Sequence, residues 1–179
     1  PVKFGISFTN TSFNQAGALL HVYKDGSIQL NHGGTEMGQG LFIKVAQVVA
    51  QELQVDIDQI EITATHTGKV PNTSATAASA GSDLNGMAAL NAARTIRRRL
   101  TAFASSHYGV PETEIAFHPG HIQIGQRKVS FSDLVMKAYL NRVQLSATGF
   151  YRTPKIHWDP TTITGRPFYY FAYGAAVTE

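Results

Sequence analysis

The sequence predicts an α+β fold in which mixed sheets carry helices packed on one face. Three observations lead there. Short β-prone runs and amphipathic stretches follow one another as hairpin, helix, strand, helix, then hairpin, helix and strands, which is not the strict βα alternation of a doubly wound sheet. The longer helical stretches each carry a single apolar stripe, so each needs one covered face. The order of elements repeats loosely between the two halves, without sequence identity, which predicts two lobes of about 1–106 and 107–179 within one domain.

Each element has a local reason. Residues 4–9 read as a short strand. Residues 16–23 and 27–31 are β-prone runs around Lys24-Asp25-Gly26, and Asp-Gly is a hairpin turn signal. Residues 39–53 read as a helix, because Leu41, Val45, Val48, Val49 and Leu53 recur three to four residues apart. In 60–66 isoleucines alternate with threonine and glutamate, as in a half-buried strand. Ser82 and Asp83 are suited to cap a second helix to about Ser106, with Met87, Leu90, Ala93, Ile96, Leu100 and Phe103 as its buried stripe. Pro111 stops anything further. Residues 115–117, 122–124 and 127–129 form a small meander with turns at Pro119-Gly120 and Gly125. Ser130 with Asp133 resembles a capping box for a helix to about Leu140. Residues 143–151 and 168–177 are the last strands.

Composition narrows the function. The 179 residues, 43% hydrophobic and 15% charged, suffice for a folded core. No apolar run approaches 20 residues and no signal-peptide pattern opens the chain, so a non-membrane, non-secreted protein is expected. The lack of cysteine excludes disulfides, thiolate metal sites and cysteine nucleophiles within this chain. Arg94, Arg97, Arg98 and Arg99 share one predicted helix but lack the interleaved aromatics of a nucleic-acid face. A solvated face, or a surface meeting an acidic partner domain, is expected instead. The abrupt ends, without an initiator methionine and with a β-prone run just before residue 179, predict a fragment of a longer chain.

Two runs carry the functional signal. Residues 33–40 read Gly-Gly-Thr-Glu-Met-Gly-Gln-Gly, and residues 71–86 read Pro-Asn-Thr-Ser-Ala-Thr-Ala-Ala-Ser-Ala-Gly-Ser-Asp-Leu-Asn-Gly. Each is a polar, small-residue loop that runs into a helix. The first N–H groups of a helix have no internal partner and sit at the positive end of its dipole, and small side chains let a large anion approach them. Neither run is a P-loop, because Gly40 is followed by Leu41-Phe42-Ile43 with no lysine. Nor is the first a dinucleotide fingerprint, since its glycines are wrongly spaced and follow a hairpin. No serine-hydrolase elbow or HExxH pattern occurs. His118 and His121 flank a Pro-Gly turn without a third ligand. His32 either faces a ligand or ends its strand with one backbone bond, and Glu36 serves either chemistry or the helix start. A backbone-lined anion site without its own nucleophile leaves the chemistry to a cofactor.

The two runs, together with Lys3-Phe4-Gly5-Ile6-Ser7-Phe8-Thr9 and Ser146-Ala147-Thr148-Gly149-Phe150-Tyr151-Arg152-Thr153-Pro154, resemble the molybdenum-cofactor domain of the xanthine dehydrogenase/xanthine oxidase family, among the molybdenum hydroxylases that include aldehyde oxidase. The likeness covers nearly the whole chain and is weakest from 104 to 128. It implies that Gln39, with Gly38 beside it, contacts the molybdenum–molybdopterin cofactor, and that Ala78 and Ser79 line it close to the metal, with Thr76 and Ala77 leading in. It implies a substrate pocket at Phe8 and Thr9, though Phe8 also suits a structural place in its strand. The implied activity is oxidation of xanthine or hypoxanthine to urate in a cytoplasmic, dimeric parent, with iron–sulfur clusters, FAD and NAD bound by other domains or subunits. An aldehyde oxidase-type enzyme and a non-catalytic binding or assembly module are the alternatives. The family's general-base glutamate, in a Gly-Glu-Pro-Pro-like motif, is absent, as is its Phe-Arg-Gly-Phe-Gly-Gly segment. The chain thus offers no catalytic residue and no direct metal ligand, and by itself it is expected to be inactive.

Overall fold

The computed structural model describes residues 2–70 and 73–178, with side chains from residue 7 onward; Pro71 and Asn72, which open the second small-residue run, lie outside the described residues with Pro1 and Glu179. The chain begins with β1 (Val2–Ile6), then the hairpin β2 (Gln15–Val22) and β3 (Ile28–His32). Helix α1 (Leu41–Leu53), β4 (Ile60–Ile62) and the long α2 (Gly81–Tyr108) follow. Strands β5 (Ile115–His118), β6 (His121–Ile124) and β7 (Arg127–Val129) precede α3 (Phe131–Leu140). The chain closes with β8 (Ser146–Arg152), β9 (His157–Asp159), β10 (Thr164–Arg166) and β11 (Tyr170–Gly174).

The architecture is α+β. A four-stranded sheet has the order β4-β3-β2-β8, with β2 antiparallel to both β3 and β8 and β3 parallel to β4. β5, β6 and β7 form the predicted meander, β9 and β10 a hairpin, and β1 pairs with β11. Strands from both halves of the chain therefore share sheets. The parallel β3–β4 pair has a consequence for the first glycine run. That run, expected to follow a hairpin only, also lies inside a β3-α1-β4 crossover, because a parallel neighbour cannot be reached by a tight turn.

Helix α2 packs on β2 and β8 and also against α1. Two covered sides change its buried face. Met87, Leu90 and Phe103, expected in the core, are only half-buried, and the deeply buried residues are Ala88, Ala89, Ala92, Ala93, Ile96, Leu100 and Ala104. The small side chains follow from the spacing to the sheet. A Cβ on Gly149 of β8 would stand 2.0 Å from the Ala88 carbonyl oxygen and 2.7 Å from the Ala92 nitrogen. The helix backbone rests directly on the strand. Arg97 ties this helix to its neighbours: one nitrogen donates to the Glu52 carbonyl at 2.8 Å, and the guanidinium lies 4.8 Å from the Phe117 ring centre. Arg94 reaches the Glu52 carboxylate at 3.6 Å, and Arg99 donates to the Ser146 carbonyl at 2.7 Å.

Four other expectations change. The strand predicted over 4–9 ends at Ile6, because the backbone of Phe8 pairs with the Asn14 side chain instead of a strand. The strand over 60–66 stops at Ile62, where side-chain bonds replace the ladder: Thr63 bonds Asn31, and Lys69 donates to the Ala64 carbonyl at 2.9 Å. The strand over 143–151 begins at Ser146, since the Val143 N–H turns back to Ala138 of α3 at 3.0 Å. Helix α2 starts at Gly81, so Ser82 and Asp83 sit in its first turn and do not cap it.

Candidate functional site

The first glycine run leads from β3 into α1, and its conformation is set by Glu36. The carboxylate accepts from the N–H groups of Gly38 (2.8 Å), Gly40 (3.0 Å) and Phe42 (3.0 Å). These bonds, that from Phe42 foremost, hold the carboxyl below its ordinary range. Glu36 thus fills the N-terminus of α1 and is a helix cap, not a group free for chemistry. Gly38 and Gly40 have φ of 96° and 74°, a left-handed region that glycine enters without strain. Gln39 is fixed at both ends of its amide: Oε1 accepts from Met37 N at 2.6 Å, and Nε2 donates to the Thr35 carbonyl at 2.8 Å.

The second run differs. Ala78 and Ser79 both have φ of 55°, left-handed backbone without glycine, at a cost of about 1–2 kcal/mol each. This double turn delivers the chain to α2, whose N-cap residue, Ala80, has no side chain to bond the first N–H groups. The end of α2 is therefore open where that of α1 is filled. Among the described residues one bond ties the two loops, from Thr35 N to Thr76 Oγ1 at 2.8 Å.

Between the loops lies a cleft of about 410 Å³. Gln39, Thr76, Ala77 and Ser79 line it together with Met37, Leu41, Lys44, Gly81 and Ser82. Gly38 and Ala78 belong to the same loops but are not among the lining residues. Lys44 escapes the sequence reading. It sits one turn into α1, donates from Nζ to the Gln39 carbonyl at 3.0 Å, and brings a positive charge beside the open end of α2. Its sole signal in the sequence is its position four residues after Gly40. Bare backbone, a strained turn, an unfilled helix N-terminus and a lysine fit an anionic pterin-type cofactor.

Behind the cleft the loops are docked closely. A Cβ on Gly33 would meet the Thr73 side chain at 2.3 Å, and one on Gly34 would meet Leu41 at 2.6 Å and Asn85 at 2.7 Å. His32 is buried, its Nδ1 accepting from Gly34 N at 3.1 Å and its ring edge-on to Phe42. Burial lowers its pKa to about 4, so it is neutral and acts as packing with one backbone bond. Asp83 lies in the first turn of α2, with Oδ1 buried and unpartnered, and desolvation pushes its carboxyl up to about 6. Nearby, the Tyr151 and Tyr170 hydroxyls meet at 2.7 Å; burial above all, then that bond, raises the Tyr151 phenol.

Phe8 and Thr9 are not among the residues lining this cleft. Phe8 is half-buried, edge-on to Phe13, and Thr9 is exposed. His118 and His121 stack across their turn at 5.2 Å, and among the described residues no group of three potential ligands could hold a metal ion. A larger hollow of about 1030 Å³ lies between the end of α1, the β5–β6 turn and the start of α3. The helix start that it meets, that of α3, is already capped by Ser130, whose Oγ accepts from Asp133 N at 3.1 Å, and neither small-residue run lines it, so the smaller cleft is the candidate site. Among the described residues no helix is long and apolar enough to cross a membrane.

The model of the molybdopterin cofactor-binding domain family matches residues 1–179. The chain is 48% identical over 179 residues to the xanthine dehydrogenase/oxidase of Mus musculus and to the xanthine dehydrogenase of Oryza sativa subsp. japonica. It is covered completely in both and spans 12% of their length. Quinoline 2-oxidoreductase from Pseudomonas putida 86 shares the fold, with a TM-score of 0.75 and 18% identity over 94% of this chain and 25% of that one. Matched from its first residue to its last, the chain belongs to the molybdopterin cofactor-binding domain family.

Proposed function

We propose that this chain forms one wall of the molybdopterin and substrate pocket of a molybdenum-dependent purine hydroxylase that converts xanthine or hypoxanthine to urate. The observation that carries the reading is the convergence of Gln39 with Thr76, Ala77 and Ser79 on one cleft, beside the open N-terminus of α2. The naming of the 48%-identical relatives as xanthine dehydrogenases supports the purine as substrate.

When bound, the molybdenum cofactor supplies the two-electron oxidation, in which a ring C–H and water become a C–OH, two protons and two electrons. The residues of this chain hold and orient. The first N–H groups of α2 and the Lys44 ammonium neutralise anionic groups of the cofactor. Gln39, Gly38 and the Ala78-Ser79 turn shape the wall, and the fixed amide of Gln39 needs no reorganisation to present it. Phe8 offers a flat apolar surface to a purine and Thr9 a hydroxyl. The general base, the iron–sulfur clusters and the FAD and NAD sites belong to the remaining domains or subunits of a dimeric, cytoplasmic parent.

The test uses the full-length parent, made in cells with an intact molybdenum pathway. Metal content by mass spectrometry, pterin fluorescence and xanthine-dependent NAD reduction are measured together. Molybdenum near one per chain with xanthine turnover supports the proposal. Molybdenum with turnover of aldehydes alone moves the substrate to the aldehyde class, and absence of both metal and pterin leaves a non-catalytic binding module.

A further inference from the structure

We propose that Asn14 is a positioning residue, whose side-chain amide sets the direction in which the Phe8 ring meets a flat heteroaromatic substrate. The inference rests on the reading of Phe8 as a substrate contact and adds the group that aims it.

Asn14 is only 2% exposed, so its amide must find partners inside the protein. It finds them on the substrate segment. Oδ1 accepts from Phe8 N at 2.9 Å and from Ser7 Oγ at 2.6 Å, and Nδ2 donates to the Phe8 carbonyl at 2.9 Å. Donor and acceptor of one backbone residue are thus paired with the two ends of one amide, as a neighbouring strand would pair them. This fixes the backbone angles of Phe8 and with them the direction of its Cα–Cβ bond. The ring itself is propped by Phe13, edge to face, with centres 5.7 Å apart.

Asn14 is in turn fixed to the frame. Its carbonyl accepts from Thr153 N at 3.0 Å, just beyond β8, and the next residue opens β2, the strand paired with both β3 and β8. Strand β3 runs directly into the loop that carries Gln39. The Phe8 ring and the cofactor cleft are therefore referenced to one sheet, although Phe8 does not line the cleft. Replacements do not reproduce this bonding. Aspartate has no donor for the Phe8 carbonyl, and alanine leaves Phe8 N, Phe8 O and the Ser7 hydroxyl without that partner.

The experiment is a double-mutant cycle on the full-length, molybdenum-loaded enzyme, reading the Kd of a purine that does not turn over by calorimetry, with molybdenum content as the control for folding. Phe8→Leu is expected to weaken the purine about three- to tenfold, the range of one oriented aromatic contact. Asn14→Ala is expected to do the same, and the double variant to bind no more weakly than Phe8→Leu alone. If Asn14→Ala and Phe8→Leu weaken binding additively, Asn14 acts elsewhere and the inference is overturned. If Phe8→Leu binds purine like the wild type, the substrate reading of Phe8 falls, and the role of Asn14 falls with it. Should Asn14→Ala lose molybdenum, Phe13→Leu decides in its place. Phe13 is 51% exposed, and loss of its ring should weaken purine about two- to fourfold only while Phe8 is present. An equal effect in the Phe8→Leu background overturns the inference.

Discussion

Thr35 and Thr76 stand 41 positions apart and are joined by a 2.8 Å bond from the first backbone N–H to the second hydroxyl. Among the described residues that bond joins the two walls of the cleft directly. Thr76→Val keeps the volume and removes the acceptor. It should lower the stability of the chain by about 1 kcal/mol in chemical denaturation, the usual worth of such a bond. Molybdenum content of the parent should fall as well, while Thr76→Ser restores both. Unchanged stability and metal content in Thr76→Val would refute a pinning role.

The left-handed turn at Ala78-Ser79 stores strain that glycine does not suffer. Ala78→Gly should raise stability by about 0.5–1 kcal/mol, because relief of the left-handed penalty exceeds the extra chain entropy of glycine. Ala78→Val should destabilise by more than that. Denaturation midpoints of the two variants, compared with the wild type, check the order.

His32 makes stability depend on pH in a definite direction. Its pKa falls from 6.5 in the unfolded chain to about 4 in the fold, so between those values the unfolded state binds the proton more readily. Stability should be flat above about 6.5 and fall by about 3 kcal/mol as pH drops towards 4, since each tenfold difference in proton affinity between the two states is worth about 1.4 kcal/mol. In His32→Leu this component disappears, and the wild-type-minus-variant difference isolates it. A difference that does not vary with pH over that window refutes the assignment.

Asp83 works in the opposite sense. Its folded pKa of about 6 lies above the unfolded 3.8, so the stability it gives at low pH is lost as pH rises through 6. Asp83→Asn should therefore be more stable than the wild type at neutral pH, with the gain shrinking towards pH 4. Partial exposure to water keeps that gain small. Urea denaturation at the two pH values measures it.

Glu36→Gln removes the charge that fills the end of α1. The carboxyl is held below its ordinary range, so its contribution is present above the glutamate range of about 4.3 and lost as pH falls through the lowered value. Hydrogen exchange at Gly38, Gly40 and Phe42 should quicken in the variant at neutral pH. Equal protection of these three amides in both proteins would argue against the cap.

The elements legible in the sequence are those whose reasons are local. Asp25-Gly26 turns the β2–β3 hairpin, the Leu41-Val45-Val49-Leu53 stripe makes α1, and Pro119-Gly120 and Gly125 turn the meander. Legibility fails where a distant partner decides. The buried face of α2 is chosen by Gly149, and the ending of β1 by Asn14, neither visible in a local window. The short β9–β10 hairpin, turned by Asp159 with Thr161 and Thr162, carries no hydrophobic pattern to announce it. At the site, the two small-residue runs are evident as loops entering helices, yet only the fold brings Gln39 and Ser79 to one cleft. Lys44 looks like any surface lysine until α1 places it there.

The contact between Gly149 and the backbone of α2 reaches further than packing. The helix has 28 residues and is thus about 42 Å long, and it is seated on β8 through Ala88 and Ala92, two turns or so from the cleft. A rod held that tightly near one end acts as a gauge. A single added methyl at position 149 would shim the helix off the sheet and displace Gly81 and Ser82 relative to Gln39. The width of the cleft between Gln39 and Ser79 is thus tied to a single hydrogen atom on Gly149.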